Sequence, residues 1–184
     1  MTPTKPPVAP LPEAEGRAVV LTEAESWLRT PFKEGAAVLG AGIDCGNLLM
    51  VSYKAAGIAM EMTPDAGIST DWFFHRATGQ LLKPVSAHAH EVTVPKPGDC
   101  VLFFIGKDWA HAAIVARQGY PVVIQARWKA CVQLADCTQG DMKKLKRIFY
   151  SPWNMPPAPS PTVHRVASPF GLHGFDAHAT VVPV

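Results

Sequence analysis

The chain has 184 residues, of which 48% are hydrophobic and 17% are charged, a composition that supplies one domain with a core and leaves room for extensions. Seventeen basic and fifteen acidic residues leave a formal charge of +2, and no run of basic residues alternates with aromatic ones. This balance argues against nucleic-acid binding. No stretch reaches the roughly 20 apolar residues of a membrane span, so we expect none.

The first residues lack the charged start and apolar segment of a secretory signal. We therefore expect synthesis in a reducing cytoplasm without a signal peptide. The four cysteines, at positions 45, 100, 131 and 137, show no paired metal-ligand spacing, and the histidines near the C-terminus show none either. We predict no metal and no other cofactor. Cys131 and Cys137 can meet across a turn, although free thiols are the expectation in such a compartment.

Proline divides the chain into three parts. Prolines are concentrated at the start of the chain and after Ser151, and the sequence between them is ordinary globular sequence. We predict a proline-rich arm over residues 1–12, one domain over residues 13–150 and a proline-rich tail over residues 151–184.

The first half of the predicted domain contains helices. Residues 13–29 place apolar side chains near a 3.6-residue spacing, and Thr30-Pro31 ends this helix because the residue before proline avoids helical angles. A loop with glycines over residues 35–42 leads to a second helix, which begins at Asp44 or Cys45 and ends near Ala56. Residues 71–82 are predicted to form a third helix.

The second half contains short strands separated by turn residues. After a short extended segment over residues 92–94, the predicted strands cover residues 100–105, 111–116, 122–126, 130–134 and 144–150. We interpret the basic cluster at residues 143–147 as a solvated strand face. Helices followed by consecutive strands predict an α+β fold, with N-terminal helices packed on a C-terminal antiparallel sheet.

Cys45 is the first candidate functional residue, since it follows Asp44 at the start of the second helix. Unpaired N–H groups and the positive end of the helix dipole favour a thiolate there, and the thiolate is the nucleophilic form. Cys45 also shares an apolar stripe with Leu48 and Leu49, as a small buried hydrophobic residue would. Both interpretations remain open at this point.

His111 and Gln125 are the candidate partners of Cys45. His111 opens a predicted strand and shares a face with Ala113 and Val115. If that face meets the start of the second helix, His111 can serve as the base for the thiol. Gln125, in the next strand, can bind the distal imidazole nitrogen and set its tautomer, as the third member of a triad does.

Five segments occur in a fixed order within residues 14–150. They are WLRTPF from Trp27, GIDCGNLL from Gly42, KPGDCVLFF from Lys96, HAAIV from His111 and VIQA from Val123. In this order they resemble the NlpC/P60 family of cysteine peptidases. The compact size and the HAAIV form resemble most the members that tailed phages and gene-transfer agents encode.

The resemblance implies a papain-like α+β fold in which Cys45 is the catalytic cysteine, His111 the base and Gln125 the polar third residue. Family members mostly cut the stem peptides of bacterial cell walls, typically between D-glutamate and a diamino acid. The expected partner is therefore a peptidoglycan peptide. A phage protein of this kind would be made in the bacterial cytoplasm and carried in the virion tail, with residues 1–12 and 151–184 bound to other tail proteins.

The resemblance also implies substrate-side positions. Asp44 matches an acidic residue that holds the substrate or the site loop, although it can simply cap the helix. Phe32 stands where the family commonly has tyrosine, and Gly46 where it commonly has serine, so two polar contacts to the substrate are lost. Gln125 replaces the more frequent histidine, and its amide oxygen can accept from imidazole.

Two alternatives to a cell-wall peptidase remain. The first is a structural tail-assembly or attachment module, because the two proline-rich ends exceed what a minimal enzyme needs. The second is the same fold acting as an amidase or acyltransferase on another substrate, such as a lipid ester, since the changes at Phe32 and Gly46 leave the substrate open.

Overall fold

The computed structural model describes residues 10–60 and 81–155 of the chain. Most of the predicted arm, the predicted third helix up to residue 80 and the tail from residue 156 lie outside the described residues. The helices are α1 (Glu13–Ser26), α2 (Cys45–Ala55), α3 (Leu82–His88) and a 3₁₀ helix (Gly140–Lys144). The strands are β1 (Ala37–Val38), β2 (Gly42–Ile43), β3 (His90–Val92), β4 (Cys100–Ile105), β5 (Asp108–Val115), β6 (Val122–Ala126), β7 (Val132–Asp136) and β8 (Lys146–Ser151).

The two N-terminal helices have clear local causes. Helix α1 ends at Ser26, three residues before the predicted end, because a turn follows in which Arg29 adopts a φ of 72° that no helix can continue. Helix α2 begins at Cys45 because Asp44 caps it, its Oδ1 accepting the N–H of Asn47 at 2.7 Å. The left-handed Gly57, with a φ of 77°, ends it as predicted.

Strands β3 to β8 form one antiparallel sheet in the order β3-β8-β4-β5-β6-β7. This architecture confirms the predicted α+β fold. Strand β5 begins at Asp108, earlier than predicted, because Ile105 pairs with Asp108 and leaves only two residues for the turn. His111 is therefore the fourth residue of its strand, and not the first. The predicted segment over residues 92–94 is also displaced, since β3 ends at Val92.

The four cysteines are free thiols. Cys131 and Cys137 flank the two ends of β7, so their Cα atoms lie about 20 Å apart at the rise of a strand. That separation is far beyond the reach of a disulfide. A pairing of Cys131 with Cys137 across a turn is therefore wrong.

The sheet buries residues on both faces. One face packs against α1 and α2 and forms what we call the helix-facing core, which includes Val20, Leu48, Leu49, Leu102, Ala112, Ile114 and Ile124. The other face carries a smaller group, which we call the outer cluster, formed by Val101, Phe103, Ala113, Val123, Cys137 and Met142. The candidate site lies at the border between the helix-facing core and the outer cluster.

The packed part of the chain reaches both predicted domain borders. The N–H of Leu11 donates to the carbonyl of Ala56 at 3.1 Å. Trp153 is 5% exposed, and the Arg17 guanidinium lies 4.2 Å from its ring centroid. The division of the chain at residues 12 and 150 stays a prediction. Over the two described ranges, none of the helices has the length and apolar character to cross a membrane.

Candidate active site

Cys45 and His111 line one pocket of about 260 Å³. Its walls are formed by Phe32, Glu34, Asp44, Cys45, Ile105, Ala110, His111 and Trp128. Four residues singled out in the sequence, Phe32, Asp44, Cys45 and His111, therefore come together. Gln125 contacts His111 without lining the pocket, and Gly46 is not among the lining residues.

Cys45 is 6% exposed, and the environment of its thiol favours the protonated form. Burial raises the pKa of Cys45 to about 12, and the charge of Asp44 acts in the same direction. Hydrogen bonds from the backbone of Ala112, Cys45 and Gly46 oppose this rise without overcoming it. The expectation of a thiolate stabilised by the helix terminus is wrong for the resting protein, because desolvation outweighs the helix-terminal amides. Attack by Cys45 therefore needs a base.

Gln125 orients the candidate base. Its Oε1 lies 2.7 Å from Nε2 of His111, and its Nε2 donates to the sulfur of Met142 at 3.3 Å. A thioether accepts hydrogen bonds and cannot donate, so the amide nitrogen faces Met142 and the oxygen faces His111. Assigned from this pattern, Nε2 of His111 carries the proton. Nδ1 then holds the lone pair that can accept a thiol proton.

The imidazole of His111 is half-buried and stacked on an aromatic ring. The Phe103 ring lies across from it, with centroids 5.7 Å apart and planes 29° apart. Burial lowers the pKa of His111, the bond to Gln125 opposes this effect, and the charge of Arg127 adds to it. The ring is therefore neutral near pH 7, which is the state a general base requires.

The two candidate catalytic side chains lie on different sides of the sheet, because Cys45 of α2 belongs to the helix-facing core and His111 stacks on Phe103 of the outer cluster. Helix α2 packs on the face of Ala112 and Ile114, and not on the face that His111 shares with Ala113. The sequence interpretation made the approach of His111 to Cys45 conditional on that second face meeting the start of α2, and the structure brings the two residues to one pocket although α2 packs on the first face. Cys45 and His111 reach the same pocket because the Cys45 thiol forms a hydrogen bond with the backbone of Ala112, the residue next to His111.

Asp44 is 6% exposed and uses both carboxylate oxygens within the protein. Besides the helix cap, its Oδ2 accepts the N–H of Gly35 at 2.7 Å and the side-chain amide of Asn47 at 2.9 Å. Asp44 thus caps α2 and also holds the loop that leads to it. Phe32 sits in that loop, where its N–H donates to the carbonyl of Ala130 at 2.9 Å. Substrate contacts by Asp44, Phe32 and Gly46 stay predictions.

Sequence reasoning missed Met142 and misread Arg147. The Arg147 guanidinium is not a solvated group on a strand, because it donates to the carbonyls of Cys137, Met142, Lys143 and Leu145 at 3.0 to 3.2 Å. These bonds hold the 3₁₀ helix that presents Met142 to Gln125. No sequence signal identifies either contact, since a methionine in a turn and an arginine in a strand carry no motif.

Solved structures of NlpC/P60 proteins share this architecture. An NlpC/P60 family protein from Bacillus cereus superposes with a TM-score of 0.53 at 17% identity, covering 72% of this chain and 39% of its own. The NlpC/p60 domain of the peptidoglycan hydrolase SagA gives 0.51 at 17% identity, covering 72% and 96%. The fold is that of NlpC/P60 proteins.

A lipoprotein-like NLP/P60 family protein from Staphylococcus aureus gives a TM-score of 0.55 at 16% identity, covering 79% of this chain and 44% of its own. The chain thus spans less than half the length of the Bacillus and Staphylococcus proteins. No protein-family model and no curated protein matches the sequence. At these identities the likeness concerns the NlpC/P60 fold alone.

Within this NlpC/P60 fold the site can perform nucleophilic chemistry at a carbonyl. It holds a thiol, a neutral imidazole with a defined tautomer, and the backbone N–H of Cys45 at a helix N-terminus, a suitable donor to an oxyanion. In the described part of the chain, no group of three or more histidine, cysteine, aspartate or glutamate residues is arranged to hold a metal ion.

Proposed function

We propose that the protein is a cysteine peptidase of the NlpC/P60 family that hydrolyses an amide bond in bacterial cell-wall stem peptides, between D-glutamate and a diamino acid. The observation that carries the proposal is the shared pocket of Cys45 and His111, in which Gln125 leaves the imidazole with a free Nδ1 lone pair. The fold of a peptidoglycan hydrolase domain supports the substrate class.

The first half of the reaction forms an acyl-enzyme. Nδ1 of His111 takes the thiol proton while Sγ of Cys45 bonds to the substrate carbonyl carbon, and the carbonyl electrons move onto oxygen. The backbone N–H of Cys45 donates to this oxyanion. When the oxyanion collapses, the C–N bond breaks and His111 returns its proton to the leaving amine.

The second half repeats these roles with water. His111 takes a proton from the water that attacks the thioester carbon, and the C–S bond breaks with return of the proton to sulfur. The products are a carboxylic acid and an amine, and Cys45 is regenerated as a thiol. Gln125 keeps the imidazole in the required tautomer throughout, because its oxygen accepts from Nε2.

The test is incubation of the purified protein with peptidoglycan fragments, with the products identified by mass. Cys45→Ala should abolish cleavage with an unchanged circular dichroism spectrum. Cys131→Ala is the matched control, because Cys131 is a partly exposed thiol outside the pocket. Cleavage retained in Cys45→Ala, or a wild-type protein inert on all fragments, would overturn the proposal.

We further propose a place for this enzyme in a phage or gene-transfer-agent tail. This part is supported by the HAAIV segment and by the proline-rich residues 1–12 and 151–184. Immunoblots of purified particles should detect the full chain. Particles that lack it would contradict the tail role, and particles that assemble and infect normally with Cys45→Ala would favour a structural module over a peptidase.

A further inference from the structure

Arg147 ties the connection between β7 and β8 to the sheet. Its half-buried guanidinium donates from all three nitrogens to neutral oxygens at 2.9 to 3.2 Å. The acceptors are the Tyr120 hydroxyl and the carbonyls of Cys137, Met142, Lys143 and Leu145. Because these acceptors are neutral, the planar fork of donors fixes the geometry of the connection and does not cancel an opposite charge there.

The first path from Arg147 to the candidate base runs through this connection. Arg147 binds the carbonyl of Met142 at 3.0 Å, and the Met142 sulfur accepts Nε2 of Gln125 at 3.3 Å. The oxygen of the same Gln125 amide lies 2.7 Å from Nε2 of His111. A displacement of the connection would therefore move the acceptor that orients the amide and, with it, the imidazole.

The second path crosses three neighbouring strands. Phe103 of β4 lies opposite Arg147 of β8 on one side and opposite His111 of β5 on the other. Directly opposed residues share a face of a sheet, so the three side chains form one row. The Arg147 guanidinium carbon lies 5.8 Å from the Phe103 ring centroid, within the range of a cation–π contact. The same buried ring stacks on the imidazole, so one side chain contacts both the arginine and the base.

We propose that Arg147 is a positioning residue that holds the His111 imidazole in the orientation and tautomer needed to deprotonate Cys45. It acts through the Gln125 amide on one path and through the Phe103 ring on the other. The inference rests on the proposed function, to which it adds a residue outside the pocket. The fork is required and not only the charge, because a lysine carries its three donors on a single nitrogen.

The experiment compares Arg147→Lys with Arg17→Lys. Arg17 is the matched control, because its guanidinium also binds a backbone carbonyl, that of Pro97 at 2.7 Å, and lies 4.2 Å from the Trp153 ring centroid. It belongs to α1 and lies outside the pocket. In nitrogen NMR, the His111 signals should change from one tautomer to a mixture in Arg147→Lys and stay as in the wild type in Arg17→Lys.

Kinetics on the cleaved stem peptide give the second measurement. Arg147→Lys should lower kcat per folded molecule about tenfold with KM unchanged, as expected when the bonds that place the base are lost. Arg17→Lys should lower the free energy of unfolding and leave kcat per folded molecule unchanged. Equal losses of kcat in the two variants would overturn the proposal, because a general loss of packing would then explain both.

A milder variant serves if Arg147→Lys does not fold. Tyr120→Phe removes one acceptor at an exposed side chain and leaves the arginine in place. It should move the His111 signals in the same direction by a smaller amount. His111 signals that match the wild type in every folded variant of Arg147 or Tyr120 would overturn the proposal. A loss of kcat in Arg147→Met without one in Arg147→Lys would also overturn it, because the charge and not the fork would then be required.

The NMR measurement needs no turnover, so failure of this inference and failure of the proposed function are distinguishable. A mixed tautomer in Arg147→Lys, with no stem peptide cleaved by the wild type, would support the positioning role and contradict the peptidase. Cleavage by the wild type, with kcat and tautomer unaltered in Arg147→Lys, would overturn the positioning role alone.

Discussion

The two faces of the sheet contribute different halves of the candidate site. The helix-facing core holds Cys45 at the start of α2, together with Leu48 and Leu49. The outer cluster holds Phe103 and Met142, which contact His111 and Gln125 respectively. The nucleophile is thus placed by helix packing, and the base by a ring stack and two hydrogen bonds.

Because of this difference, we expect the helix-facing core to determine mainly the stability of the domain and the outer cluster to determine mainly its catalytic chemistry. Removing a large side chain from the helix-facing core takes away packing that supports the whole domain. Changing the outer cluster alters the environment of one imidazole and one amide. Substitutions in the helix-facing core should therefore mainly lower the free energy of unfolding, whereas substitutions in the outer cluster should mainly lower kcat.

Among variants that keep the Cys45 nucleophile, the largest effect is expected for His111→Ala. At neutral pH the Cys45 thiol is protonated because its pKa is raised to about 12, so loss of the base leaves little nucleophile. We expect kcat/KM on the cleaved stem peptide to fall by about 10²- to 10⁴-fold. His88→Ala, in α3 and outside the pocket, should retain activity. A loss of less than tenfold in His111→Ala would show that another group serves as the base.

Leu102 and Phe103 test the comparison most directly, because they are consecutive, fully buried and on opposite faces. Leu102→Ala should lower the free energy of unfolding by about 2–5 kcal/mol and leave kcat per folded molecule unchanged. Phe103→Leu should cost less stability and lower kcat, since the ring stacked on His111 is lost. Denaturant unfolding and steady-state kinetics measure both quantities. If both variants lost stability and kcat to the same extent, the assignment of stability to one face and of catalysis to the other would be refuted.

The pH dependence of kcat/KM reports the state of the base. Burial lowers the pKa of His111, so the imidazole binds its proton only below the ordinary histidine range and stays neutral above it. We expect a constant kcat/KM near neutral pH and a fall of about tenfold per pH unit below an inflection that lies under about 6.5. Gln125→Ala should move this inflection to lower pH, because the bond from Gln125 raises the pKa of His111. A fall of kcat/KM on the alkaline side of neutral pH would instead indicate a preformed thiolate and imidazolium pair, because that pair is lost when the imidazolium gives up its proton.

The smallest effect is expected for Met142→Leu, which preserves volume and removes the sulfur that orients Gln125. A lost hydrogen bond of ordinary strength corresponds to about a 2- to 10-fold lower kcat, with KM unchanged. Nitrogen NMR should show a mixed tautomer at His111. Met60→Leu is the control, because Met60 is 3% exposed in the helix-facing core. A change in kcat in both variants would indicate a packing effect.

Local patterns in the sequence predicted much of the fold. Strands β4 and β6 have the predicted bounds, and α2 begins and ends where the Asp44 cap and Gly57 indicate. Each of these features depends on residues that are only a few positions apart in the sequence. The insertion of β8 between β3 and β4 was not predictable in this way, because it depends on pairing between distant segments.

The sequence by itself determined the order of helices and strands and the residue types of the site, Cys45, His111 and Gln125. Only the tertiary structure decided how they are arranged: which face meets α2, that burial raises the pKa of Cys45, and that Met142 orients Gln125. The physical reason is the same in each case. Desolvation and side-chain orientation are set by neighbours that are far apart in the chain, whereas caps, turns and apolar periodicity are set by neighbours within it.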